Sequence, residues 1–162
     1  MGIYSVEKLM TEARRLAREY REATGKTLPI TAEIAVNDAI RLLGMEPAPS
    51  GEQGYDATLV YHNETLRVQI KGRVIFDEKS SGYRIGQLKT QQPWDAILLV
   101  IMNREFEPDE ILLARREDVL ESVEKRQNKK GAMSVARFRN ISELIWTAAN
   151  GFEDAGYWSN AV

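Results

Sequence analysis

The stretch YDATLVYHNETLRVQIKGR, residues 55–73, decides the fold. Two alternating segments flank the turn residues HNE, the pattern of a β-hairpin. In the second segment Leu66, Val68 and Ile70 fall on one side, and Arg67, Gln69, Lys71 and Arg73 on the other. A period of two makes this a half-buried strand with an apolar face and a wet face. The wet face carries an amide and cations close together, and the hairpin brings Asp56 back beside Gln69 and Lys71.

Composition limits what surrounds this hairpin. The chain has 162 residues, 43% of them hydrophobic and 28% charged, enough for one good core and no second domain. No repeat or low-complexity tract interrupts it. There is no Cys, and His62 is the single histidine, which excludes thiolate and imidazole metal sites. Any metal must therefore bind oxygen. The N-terminus MGIYSVEKLM has no leader pattern and no acylation signal, and the longest apolar run, AILLVIM, is too short to span a bilayer. A soluble cytoplasmic protein without a membrane partner is expected. The net charge of −2 excludes a uniformly basic coat but leaves room for a basic groove.

Upstream, residues 5–24 place Val6, Leu9, Met10, Ala13, Leu16 and Tyr20 at helical spacing, with Ser5 as N-cap and Gly25 as stop. A second helix, TAEIAVNDAIRLL, is predicted to be capped by Thr31 and ended by Gly44, with a stripe of Val36, Ile40 and Leu43. Glu33 stands in line with that stripe in the first turn. Downstream, YRIGQLKTQQ fits strand or helix, and WDAILLVIMN reads as a central strand covered on both faces. EPDEILLARREDVLESVEKRQ reads as a strand running into a helix, NKKGAMSVARFR as a loop and edge strand, and ISELIWTAAN as a closing helix capped by Asn140. The expected fold is α/β, a central mixed sheet flanked by helices. It divides into an N-terminal helix (1–28), a core with the hairpin (30–115) and C-terminal helices with a tail (116–162).

Taken singly, these polar residues have ordinary meanings. Asp56 is a loop-edge acid, Gln69 and Lys71 decorate a solvated strand, and Glu33 favours the positive end of its helix. Together they define an oxygen-lined pocket for a hard divalent cation with an ammonium beside it. Phosphodiester cleavage needs those parts, because charge develops on phosphoryl oxygens while a positioned water attacks.

A helical Glu, an Asp opening a hairpin and a (D/E/Q)xK motif on the next strand resemble the PD-(D/E)xK nuclease superfamily, the restriction-endonuclease-like fold. The residues carrying the resemblance are Glu33 in ITAEIAV, Asp56 in GYDATL, and Gln69 with Lys71 in VQIKGR, followed by RIGQLK and WDAILLVIM. RIGQLK after VQIKGR is similar to a prokaryotic branch of that superfamily. The resemblance implies a metal site of Asp56, Gln69, the Ile70 carbonyl and Glu33, holding Mg²⁺ or Mn²⁺. It also implies a catalytic set of Asp56, Gln69, Lys71 and Glu33, in which Lys71 activates or positions the water. Tyr55 replaces the Pro of the family name. Gln69 stands where the family usually has Glu or Asp, so one charge is missing from the site.

The implied activity is hydrolysis of DNA in restriction, repair or mobile-element defence. The alternative is a nucleic-acid-binding module that keeps the fold without turnover. Arg73, Arg84 and Lys89 are the expected phosphate contacts, while Lys125, Arg126, Lys129, Lys130, Arg137 and Arg139 form a second cationic run that reads as solvated loop. Trp94 and Trp146 read as core. Phe152, Tyr157 and Trp158 are expected to dock on the domain or on a second subunit, and a homodimer would suit cleavage of two strands.

Overall fold

A computed structural model of the chain describes residues 3–52, 54–77, 83–85, 88–125 and 133–153. The helices are α1 (Ile3–Thr24), α2 (Thr31–Leu43), α3 (Arg116–Lys125) and α4 (Val135–Ile141). The strands are β1 (Glu46–Pro47), β2 (Ala57–Tyr61), β3 (Glu64–Val74), β4 (Arg84–Ile85), β5 (Ala96–Met102), β6 (Pro108–Arg115), β7 (Met133–Ser134), β8 (Glu143–Thr147) and β9 (Gly151–Phe152). Among the described residues they form a seven-stranded mixed sheet in the order β1-β2-β3-β5-β6-β8-β9, with β4 and β7 as a separate pair. The fold is mixed α/β.

The hairpin forms because His62 (φ 49) and Asn63 (φ 63) both take the left-handed conformation that a two-residue turn requires. Strand β2 pairs antiparallel with β3 only as far as Ala57 opposite Val68. From Gln69 to Val74, β3 runs on beside its parallel partner β5, with Gln69 opposite Ile97 and Val74 opposite Met102. That overhang creates a notch at one edge of β3.

Strand β5 is buried along its whole length because both its faces are covered. Leu98, Val100 and Met102 join the core under α1 and α2, whereas Ile97, Leu99 and Ile101 join a second core with Val119 of α3 and Phe138 of α4. Helix α2 lies close on β3 because Gly72 has no side chain: a Cβ there would stand 2.6 Å from the Ala35 Cβ. Gly44 (φ 63, ψ 40) ends α2 as expected. Trp94 and Trp146 are core residues, and Phe152 packs against the first core. Tyr157 and Trp158 lie outside the described residues, as do Lys79, Arg126, Lys129 and Lys130.

Several local expectations are corrected. Helix α1 already includes Ile3, so Ser5 lies inside it, and Ala17 is its fully buried residue while Val6, Leu9 and Leu16 are exposed. Ile30 occupies the N-cap position of α2 without a side-chain hydrogen bond, and Thr31 is the first helical residue rather than the cap. The core face of α2 runs Ile34, Ala35, Asp38, Ala39 and Leu43; of the expected stripe Leu43 belongs to it, while Val36 and Ile40 are only partly buried at its margin. The segment read as an edge strand supplies only Met133 and Ser134 before α4, whose N-cap Ser134 accepts from the Arg137 N–H at 3.1 Å. Asn140 lies within α4 and caps nothing. ISELIWTAAN contains a strand, β8, because β6 needs a partner on that edge. A register shift opposite Ile111 and Leu112 lets the adjacent Ile145 and Trp146 both join the first core. Such a bulge breaks strict alternation, so the apolar spacing resembles that of a helix. No described helix is long and apolar enough to cross a membrane.

Candidate active site

The notch beside β3 opens into a cleft of about 610 Å³. Its walls include Glu33 of α2, Tyr55 and Asp56 before β2, Gln69, Ile70 and Lys71 of β3, and Lys89 and Gln92 of the following loop. The structure thus gathers the predicted Glu33, Asp56, Gln69, Ile70 and Lys71 around one space. Val36 and Ile40 line the same space, so Glu33 belongs to the cleft-facing stripe of α2 and not to its buried face.

Asp56 occupies the notch by extending the hairpin ladder. Its N–H donates to the Val68 carbonyl at 2.8 Å, and its Oδ2 accepts from the Ile70 N–H at 2.7 Å. The side chain therefore supplies the next rung where β2 has ended. In an extended strand a residue's N–H and C=O point to the same side, so the Ile70 carbonyl also faces this edge.

Gln69, expected on a wet face, is instead buried, with 7% of its surface exposed, because the loop carrying Gln92 and the turn at Gly54 close over it. Its Nε2 donates to the Gly54 carbonyl at 3.1 Å and to Gln92 Oε1 at 2.9 Å. Its Oε1 is buried without a protein partner. A buried amide oxygen left unbonded costs free energy, and Gln69 is among the residues that line the cleft. Burial holds the Lys71 ammonium below the ordinary lysine range; Asp56 opposes this, while Lys89 and Arg73 reinforce it. A lysine so placed gives up its proton more readily than a free one.

The expected phosphate contacts separate. Lys89 is exposed and lines the cleft. Arg73 instead turns its guanidinium onto the carbonyls of Arg84 and Gly72, the latter at 2.7 Å, and neither Arg73 nor Arg84 is part of the cleft wall. Arg67, counted among the cations near the site, pairs with Asp95 at 3.0 Å. Arg139 is likewise paired, with Glu110 at 2.6 Å.

Gln92 and the Gly54 carbonyl are the polar groups that sequence reasoning missed. Nothing in TQQPW separates Gln92 from an ordinary loop residue, because its role depends on contact with a strand 23 residues away. Among the described residues no three His, Asp or Glu side chains gather into a metal-binding group. A cation here would draw on the carboxylates of Asp56 and Glu33, the Gln69 amide oxygen and the Ile70 carbonyl. That all-oxygen set suits a hard cation such as Mg²⁺ or Mn²⁺. No protein-family model matches this chain, and no curated protein matches it.

Proposed function

We propose that this chain is a divalent-metal-dependent nuclease that hydrolyses phosphodiester bonds of DNA. The observation that carries the reading is one cleft lined together by Asp56, Lys71 and Gln69, whose buried amide oxygen has no protein partner. A bound divalent cation supplies charge neutralisation at the phosphoryl oxygens. Asp56, whose Oδ2 is committed to Ile70, keeps Oδ1 for the site. Lys71 orients the attacking water, and burial favours the neutral amine, the form that can take the water's proton. Lys89, exposed at the rim, contacts a phosphate of the strand being cut. Glu33 restores part of the charge that the neutral Gln69 lacks.

The test is incubation of supercoiled plasmid and linear duplex with the purified protein in Mg²⁺, Mn²⁺ or EDTA, alongside Lys71→Ala. Metal-dependent nicking that the variant lacks is the expected result. Salt-sensitive DNA retention without cutting by either protein would support the binding module in place of the nuclease. Neither cutting nor retention of DNA would overturn both readings.

A further inference from the structure

We infer that Gln92 is a positioning residue that, with the Gly54 carbonyl, locks the Gln69 amide with its NH₂ group on those two acceptors and its oxygen left without a protein partner, so that the site is built for an amide and not for a carboxylate. A primary amide has two donor hydrogens and one acceptor oxygen. Both donors of Gln69 are used, one on Gly54 O at 3.1 Å and one on Gln92 Oε1 at 2.9 Å. A backbone carbonyl accepts and never donates. Rotating the amide by half a turn would set its oxygen against Gly54 O with no hydrogen between them, so the orientation found is the one the surroundings permit.

Both partners are themselves held in place. The Gly54 N–H donates to Glu52 Oε1 at 2.9 Å, and a Cβ on Gly54 would meet Pro93 at 2.6 Å. Only glycine lets this turn approach the loop that carries Gln92. On that loop the Gln92 carbonyl accepts from Arg116 Nη1 and the Trp94 carbonyl from the same atom, each at 2.8 Å. The Arg116 guanidinium also lies over the Trp94 ring, 4.5 Å from its centroid. Helix α3 thus begins with a residue that braces the loop behind Gln92.

A carboxylate at position 69 would place an oxygen against the Gly54 carbonyl. Gln92 can turn its own amide to donate, but Gly54 cannot. Gln69→Glu would therefore lose the hydrogen bond to Gly54, and it is expected not to bind a cation more tightly than the wild type does.

The functional consequence rests on the cation reading above, whereas the amide orientation does not. The experiment therefore has two readouts. The first is water exchange of the Gln69 side-chain NH₂ protons, followed by ¹⁵N–¹H NMR in metal-free protein. The second is Mn²⁺ binding, followed by electron paramagnetic resonance of the free ion. Gln92→Ala is expected to speed exchange about fivefold or more and to weaken Mn²⁺ binding about tenfold. Gln92→Glu, which keeps the acceptor, restores slow exchange. Unchanged exchange in Gln92→Ala, or Gln69→Glu binding Mn²⁺ more tightly than wild type, would overturn the inference. Slow exchange that depends on Gln92 in a protein with no Mn²⁺ affinity would uphold the lock and remove the cation reading.

Discussion

Replacing Asp56 separates its structural work from its chemical work. The wet-face position suggests that Asp56→Ala should leave the fold intact, yet the carboxylate accepts the Ile70 N–H at 2.7 Å, and Ile70 is only 4% exposed. A hydrogen bond to a charged group contributes about 1.5–3 kcal/mol. Truncation opens the site to the cleft, and water can partly replace the lost acceptor, so a cost near the lower end, about 1–2 kcal/mol, is expected for Asp56→Ala. For a domain of this size that lowers Tm by about 2–8 °C. Asp56→Asn keeps an acceptor oxygen and removes the charge, so it should be destabilised less than Asp56→Ala while losing metal-dependent cutting about 100-fold or more. Thermal melts and plasmid nicking of the two variants make the comparison. Equal destabilisation by Asn and Ala would refute the hydrogen-bond argument, and wild-type cutting by Asp56→Asn would refute the site.

Lys71 supplies a pH test. Its proton affinity is held below the ordinary value of 10.5, chiefly by burial, so between the folded and unfolded pKa the unfolded chain binds the extra proton. Stability should therefore rise with pH across that window, and the full penalty should be present below it. Lys71→Met is expected to be more stable than wild type at about pH 7, with the advantage shrinking as pH approaches 10.5; a difference independent of pH in denaturant titrations would contradict this. Gly72→Ala should cost about 1–3 kcal/mol by forcing a methyl against Ala35, and the double variant with Ala35→Gly should recover the steric part of it, less about 1 kcal/mol for a glycine inside α2, in melting experiments. A Gly72→Ala protein that melts like wild type would show that α2 does not need the close approach. Asp38, fully buried, accepts from Arg14 Nη1 at 3.0 Å and Nη2 at 2.8 Å. Asp38→Ala should cost about 2–3 kcal/mol by removing the buried partner of the Arg14 guanidinium, which keeps the Phe106 carbonyl and Glu107, while protein that remains folded binds Mn²⁺ as wild type does. A loss below about 1 kcal/mol in urea unfolding would count against the pair as the tie between α1 and α2.

What the sequence determined by itself was whatever depends on local periodicity. Alternation around HNE marked the hairpin and put Gln69 and Lys71 on one face, the unbroken AILLVIM run marked a strand covered twice, and Gly44 marked the end of α2. Each signal lies within a few residues of the element it specifies. Periodicity failed where a long-range contact took precedence. The bulge near Ile145 and the free edge of β6 turned an apparent helix into β8, and the glycine contact at Gly72 belonged to a helix more than 30 residues away. Only the tertiary structure decided that Asp56 replaces a missing ladder rung and that Gln69 is held by groups 15 and 23 residues distant. The physical reason is that side-chain type and spacing set which face a residue occupies, whereas the orientation of an amide or carboxylate depends on donors and acceptors that only folding brings within 3 Å or so.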